Sequence, residues 1–274
     1  MKINRIFLVV FIQFVILKAE ISCQEPSSGI YPKVAIPSLQ SCYCDGFKQI
    51  YTLSKGNTLA RYDWQGKMAF SYSESRYGAI TQADMSNPLS VLVYYGAFGV
   101  AQILDRNLVL QSELNLRVLG YQTISAIGLG ANNQIWIYDA EKLILVKLDP
   151  TGQVSRQSNE LIDLIGNNKL EGRIWELDNF LFIRSPGLGW LQFDDYANFV
   201  QTLPLPDKDI NRMSQEQIWY DDEDGYSFKF DLRTLKTKKY PKPAVIPKDL
   251  KAIMCPDGWL SLAPDQLLIF PSEN

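Results

Sequence analysis

The 274-residue sequence contains no histidine. That absence excludes Ser-His-Asp and Cys-His catalysis, His-ligated zinc and histidine proton relays. No apolar run reaches the roughly 20 residues that a membrane-spanning helix needs. Charge of one sign is also missing: 27 basic residues face 30 acidic ones, a formal net charge of −3, so a broad basic surface for nucleic acid is not expected. Cysteine is sparse, at four residues. Neither glycine-containing loop, 94–99 or 184–189, has the lysine and following helix of a phosphate loop. What is present is 46% hydrophobic, 12% aromatic and 21% charged, a globular composition that leans towards β structure.

The N-terminus reads as an export signal over residues 1–23, followed by a linker over 24–30 and one folded domain over 31–274. Lys2 and Arg5 precede the apolar run Ile6 to Leu17, broken only by Gln13, and a short polar region ends at Cys23. That order of basic, apolar and polar regions is the signature of a secretory signal peptide. An alternative makes Cys23 the lipidated first residue of a lipoprotein tethered by 24–29. Against it, Glu20 stands where a lipobox wants a small or aliphatic residue. The expected location is therefore the periplasm or the outer membrane, with membrane association only through partners or a lipid on Cys23.

From residue 40 onward the chain repeats. The segments 59–63, 101–105, 146–149, 191–194 and 228–231 are short alternating strands, each ending in Asp and followed by turn residues and another strand. The Asp positions, 63, 105, 149, 194 and 231, are spaced by 42, 44, 45 and 37 residues; a sixth copy, Leu267 to Phe270, has Pro271 in place of Asp. Aspartate suits that place because its side chain accepts from the backbone two residues on and closes the turn. Two further strands precede each such strand, so each repeat of about 40 residues holds four, the period of a propeller blade. The reading is all-β: a six-bladed β-propeller, with five or seven blades as alternatives. The sixth copy stops at its third strand, and Tyr31 to Ile36 is free to supply the fourth, closing the ring and removing an exposed edge. One stretch breaks the rhythm: 159–165 has apolar residues at helical spacing and reads as a short helix or a loop anchored by buried Leu and Ile.

The stretch Ile135-Trp-Ile-Tyr-Asp139, with Leu143-Ile-Leu-Val-Lys-Leu-Asp-Pro-Thr-Gly152 after it, resembles blades of exported bacterial β-propellers of the broad YVTN/NHL/quinoprotein-like type. The resemblance spans residues 31–270 as repeats. It implies the fold and names no ligand or cofactor.

An exported chain meets an oxidising compartment. Cys44 and Cys255 occupy matching places, at the ends of the innermost strands of the first and last repeats, so a disulfide from Cys255 to Cys44 or Cys42 would staple the closure. The alternative is three buried free thiols. No metal site is expected: C-x-C without histidine or a second cysteine pair is a poor one. The acidic run 221–225 lacks the alternate spacing and distal Glu of a calcium loop and reads as a solvated turn. The basic run 236–242 reads as an outermost strand whose lysines and proline discourage edge pairing.

Propellers commonly bind on the face carrying the loops between strands two and three and between strand four and the next blade. On that face we place Tyr95, Phe98, Tyr121, Arg184, Pro186, Asp222 and Tyr226 as candidate partner contacts, since Tyr, Phe and Arg dominate interface hot spots; Lys55 and Asp139 share the face. Two functional readings follow. The first is a non-catalytic protein-binding scaffold of the bacterial cell envelope, such as a subunit of an outer-membrane assembly or secretion complex, with other envelope proteins as partners. The second is a carboxylate- or calcium-dependent hydrolase or lyase acting on glycans or lactones in the channel. It needs acids on inner strands, and the candidates are Asp84, Glu176 and Asp178. No cofactor is called for by either.

Overall fold

The structure is a computed structural model that describes residues 31–272 apart from Gln215 and Glu223. The expected signal peptide, the linker and Cys23 lie outside the described residues. Nearly every element is a strand. The first, β1 (Lys33–Ala35), is followed by a meander of β2 (Leu39–Cys44), β3 (Ile50–Ser54), β4 (Thr58–Tyr62) and β5 (Met68–Ser73). The pattern recurs in β6 (Gln82–Asp84), β7 (Ser90–Tyr95), β8 (Val100–Asp105) and β9 (Leu110–Asn115). It recurs again in β10 (Ile124–Leu129), β11 (Ile135–Asp139), β12 (Ile144–Leu148) and β13 (Val154–Gln157), then in β14 (Glu171–Leu177), β15 (Phe180–Ser185), β16 (Gly189–Asp194) and β17 (Phe199–Leu203). The last strands are β18 (Ile210–Ser214), β19 (Gln217–Asp221), β20 (Tyr226–Asp231) and β21 (Lys236–Pro241), then β22 (Lys251–Cys255), β23 (Gly258–Ala263) and β24 (Gln266–Pro271).

The turns explain why the chain meanders at this period. Asp63 accepts from the N–H of Gln65 at 3.0 Å and of Lys67 at 2.8 Å. Asp105, Asp149 and Asp194 accept in the same way from positions two and four residues on. The third residue after each of these four, Gly66, Leu108, Gly152 or Ala197, has positive φ. A register shift accompanies the turn in all four meanders, with the extra residue, Ala69, Gln111, Ser155 or Val200, on the fourth strand. One aspartate side chain thus sets a turn and a bulge together.

The third strands and turns fall where the Asp spacing puts them. Strand β1 pairs antiparallel with β24, Val34 opposite Leu267, and gives the last sheet the order β1-β24-β23-β22. The segment 159–165 combines both expected forms: α1 (Ile162–Ile165) is a single helical turn, anchored by buried Leu161 and Ile165.

One pairing was not expected. The inner strands β10 and β14 run parallel and bonded, Ala126 opposite Gly172, which merges two meanders into one eight-stranded sheet. Gly128 permits this approach: a Cβ there would lie 1.8 Å from the carbonyl oxygen of Ile174.

The core is divided among the faces between successive meanders. Leu53 and Leu59 pack with Val91 and Val93; Leu92 and Ile103 pack with Ile137 and Val146; Leu145 packs with Leu181 and Leu191; Trp190 packs with Ile218 and Phe230. A further cluster joins the last sheet to the first through Leu260, Leu267 and Ile269 against Ile50, Ala60 and Trp64. Hydrogen bonds cross these faces between positions 45 residues apart: Gln82 to Ile127, Leu129 to Asp84, and Ala131 to Glu176. The disulfide forms between Cys44 and Cys255, with Cα atoms 6.0 Å apart, and Cys42 is a buried free thiol.

Candidate functional site

Period-two alternation on the inner strands aims every second side chain at the middle of the molecule. On β14, Ile174 enters the core while Arg173 and Trp175 point the other way and line the same two cavities. Residues of β2 and β18 also line both, and residues of β6 and β22 complete one of them.

Arg173 stands where the two cavities meet. Its guanidinium stacks over Trp175 at 4.6 Å and Tyr43 at 5.2 Å, donates to the Ala83 carbonyl at 2.6 Å, and lies 3.9 Å from buried Asp84. One cavity, of about 360 Å³, opens beside the strand 1–2 loops and is walled by Tyr43, Phe47, Met85, Trp175, Arg212 and Met213. The other, of about 310 Å³, lies towards the opposite loops and is ionic: Arg184 there contacts Glu171 at 2.7 Å, Asp207 at 3.2 Å and Asp209 at 3.4 Å.

The candidate acids do not form a reactive set. Asp84 is fully buried and accepts from the N–H of Ser86 and Leu129, each at 2.9 Å. Glu176 accepts from the Ala131 N–H at 2.9 Å and from the Trp136 indole, and pairs with Lys147 at 2.9 Å. Asp178 is exposed and, with Asn179, forms the positive-φ turn between β14 and β15, a two-residue hairpin loop.

The seven expected partner contacts divide. Tyr95 is fully buried and Tyr121 nearly so, because both pack into the faces between meanders; their expected exposure is corrected to core packing. Phe98 is half exposed and touches the Tyr77 ring. Val118 and Leu119, exposed in the loop after β9, share its face. Pro186 is half-buried beside ion-paired Arg184. Asp222 accepts from the Tyr226 N–H at 2.8 Å and closes its loop, and the Lys239 ammonium covers the Tyr226 ring at 3.4 Å. Asp139 is buried and accepts from the Glu141 N–H at 3.0 Å, while Lys55 is exposed.

Sequence reasoning passed over Arg173 and Arg212. The signal was an arginine on an innermost strand, beside an apolar core residue and two positions from a large one. The basic run 236–242 includes β21, the outermost strand of its sheet, as expected.

No family model matches the chain, and no curated protein matches it. Solved structures do. A streptogramin B lyase aligns with TM-score 0.53 and 11% identity, over 83% of this chain and 76% of that one. A catalytically inactive histidine-to-alanine variant of virginiamycin B lyase from Staphylococcus aureus, with quinupristin, aligns with TM-score 0.52 and 13% identity, over 83% and 78%. The Pan2 WD40 domain of Neurospora crassa aligns with TM-score 0.51 and 11% identity, over 83% and 75%. The fold is a β-propeller. Identities this low establish the fold alone.

Proposed function

We propose that this chain is exported and serves as a non-catalytic protein-binding scaffold of the bacterial cell envelope, built as six blades that β1 closes into a ring. The observation that carries this reading is the state of the inner acids. Asp84 and Glu176 are occupied by backbone N–H groups and by arginine or lysine, so neither is free to shuttle protons. The histidine whose replacement inactivates the virginiamycin lyase variant has no counterpart in a chain without histidine.

The surface that suits a partner carries Phe98, Val118 and Leu119, with Val118 exposed to 81%. Exposed apolar side chains grouped on one face mark contact sites. Membership of an assembly or secretion complex is the finer form of the same proposal.

The test places a photo-crosslinking residue at position 98 or 118, or at position 235 as a control, in the native host. The expected result is one reproducible envelope-protein adduct from 98 and 118 and none from 235. Fractionation of the same cells should find the chain outside the cytoplasm. Equal adducts at all three positions, or a cytoplasmic chain, overturn the proposal.

A further inference from the structure

The guanidinium of Arg212 has no hydrogen bond or ion pair among the described residues. It lies over the Trp219 ring, 5.0 Å away. Its Nε is buried and unbonded, as is the Trp219 indole nitrogen. Burial holds the Arg212 pKa below the ordinary arginine value, against the opposing pull of Asp257. Asp257 itself pairs with Lys48 at 3.4 Å. Arginine carries five donors in a rigid fork, and at Arg212 the Nε–H is unmet out of reach of water, which is costly.

This arginine lines the cavity of about 360 Å³, a volume in the range of small-ligand pockets. The rest of the lining suits a small organic acid. Tyr43, Trp175, Met85 and Met213 offer flat or adaptable apolar walls, and Asn211, Ser86 and Ser214 add polar atoms. Arg173 adds a second positive charge that Asp84 offsets only across 3.9 Å. Among the described residues of the lining, the one carboxylate is Asp45. Its Oδ1 accepts from the N–H of Phe47 at 2.7 Å and of Gln49 at 2.9 Å, its Oδ2 is buried and unbonded, and burial raises its pKa.

We propose that this mouth of the channel binds a small organic carboxylate with a flat apolar body, its carboxylate seated on Arg212 and its body against Trp175 and Tyr43. A carboxylate accepts the guanidinium fork with two parallel hydrogen bonds. The site is independent of the protein-docking face, which lies on the opposite loops.

Phenylacetate and its neutral isostere phenylacetamide are the probes, titrated against the full chain by tryptophan fluorescence and thermal shift. Phenylacetate should saturate below about 10 mM, with the amide weaker by about tenfold or more. Arg212→Gln should lower phenylacetate affinity by about tenfold, while Arg184→Gln, in the other cavity, leaves it unchanged. Arg212→Lys keeps the charge but loses the fork, so it should bind more weakly than wild type and serves if Arg212→Gln does not fold. Equal binding of acid and amide, no effect of either Arg212 variant, or no saturation to about 10 mM overturns the proposal. None of these readouts depends on a protein partner, so failure here leaves the scaffold reading standing.

Discussion

Single side chains explain why inner-strand acids need not signal catalysis. The side chains of Lys147 and Glu176 are 7% and 11% exposed, and their contact at 2.9 Å joins one meander to the next. Removing Glu176 leaves Lys147 with Asp195, 3.3 Å away on a more exposed side chain, to offset its buried charge. Glu176→Gln should therefore cost about 2 kcal/mol in chemical denaturation, and a loss under about 0.5 kcal/mol would show that the pair holds nothing together. Cys42 makes a second residue-scale case. Burial pushes its thiol up to about 12, with Lys251 pulling weakly the other way. The folded state holds the proton longer than the unfolded one. The resulting stability is fully present below the ordinary thiol range and drains away as pH rises towards about 12. Between those limits wild type should lose stability faster with pH than Cys42→Ala in urea titrations. Parallel slopes would contradict this.

At the scale of elements, the parallel contact of β10 with β14 is decided by glycine. A methyl group at Gly128 would meet backbone rather than a movable side chain, so the strands would have to separate. Gly128→Ala is expected to cost about 3 kcal/mol and to speed amide exchange at Ala126 and Ile127, the residues paired with β14. Unchanged exchange there would refute the close approach. The single turn α1 shows the converse: two buried apolar anchors hold a segment too short to be a stable helix alone.

At the scale of the whole molecule, apolar faces between meanders do most of the holding, and they are unequal. Beside the last sheet, the loop 242–250 supplies Val245 and Ile246 against Ala252 and Phe270 in a small cluster. Its path is set by Lys242, which donates to the carbonyls of Pro247, Lys248 and Leu250 at 2.8, 3.0 and 3.0 Å. On the other side of that sheet the Cys44–Cys255 bond spans 211 residues of sequence. A crosslink closing so long a loop restricts the unfolded chain strongly. Its removal by Cys44→Ala with Cys255→Ala should cost about 2–5 kcal/mol and lower Tm by roughly 5–15 °C. A drop of under about 2 °C would mean that the apolar cluster around Leu267 and Ile269 suffices without it.

The repeat, its four-strand content, the turn aspartates and the pairing of β1 with the last sheet were all legible in the chain. They rest on local chemistry: alternation of apolar residues, Asx turns at a regular spacing, and an unpaired edge that needs a strand. Cys44 could be matched to Cys255 for the same reason, because equivalent positions in neighbouring repeats come together. What only the folded molecule decided depends on contacts between distant segments. Tyr95 and Tyr121 look like surface aromatics in a loop-rich stretch, yet the packing of one sheet on another buries them. Arg173 and Arg212 look like ordinary strand residues until inner strands from several repeats surround them with aromatic walls. One arginine then pairs with a carboxylate while the other makes no ion pair among the described residues, and that difference belongs to three-dimensional arrangement rather than to spacing along the chain.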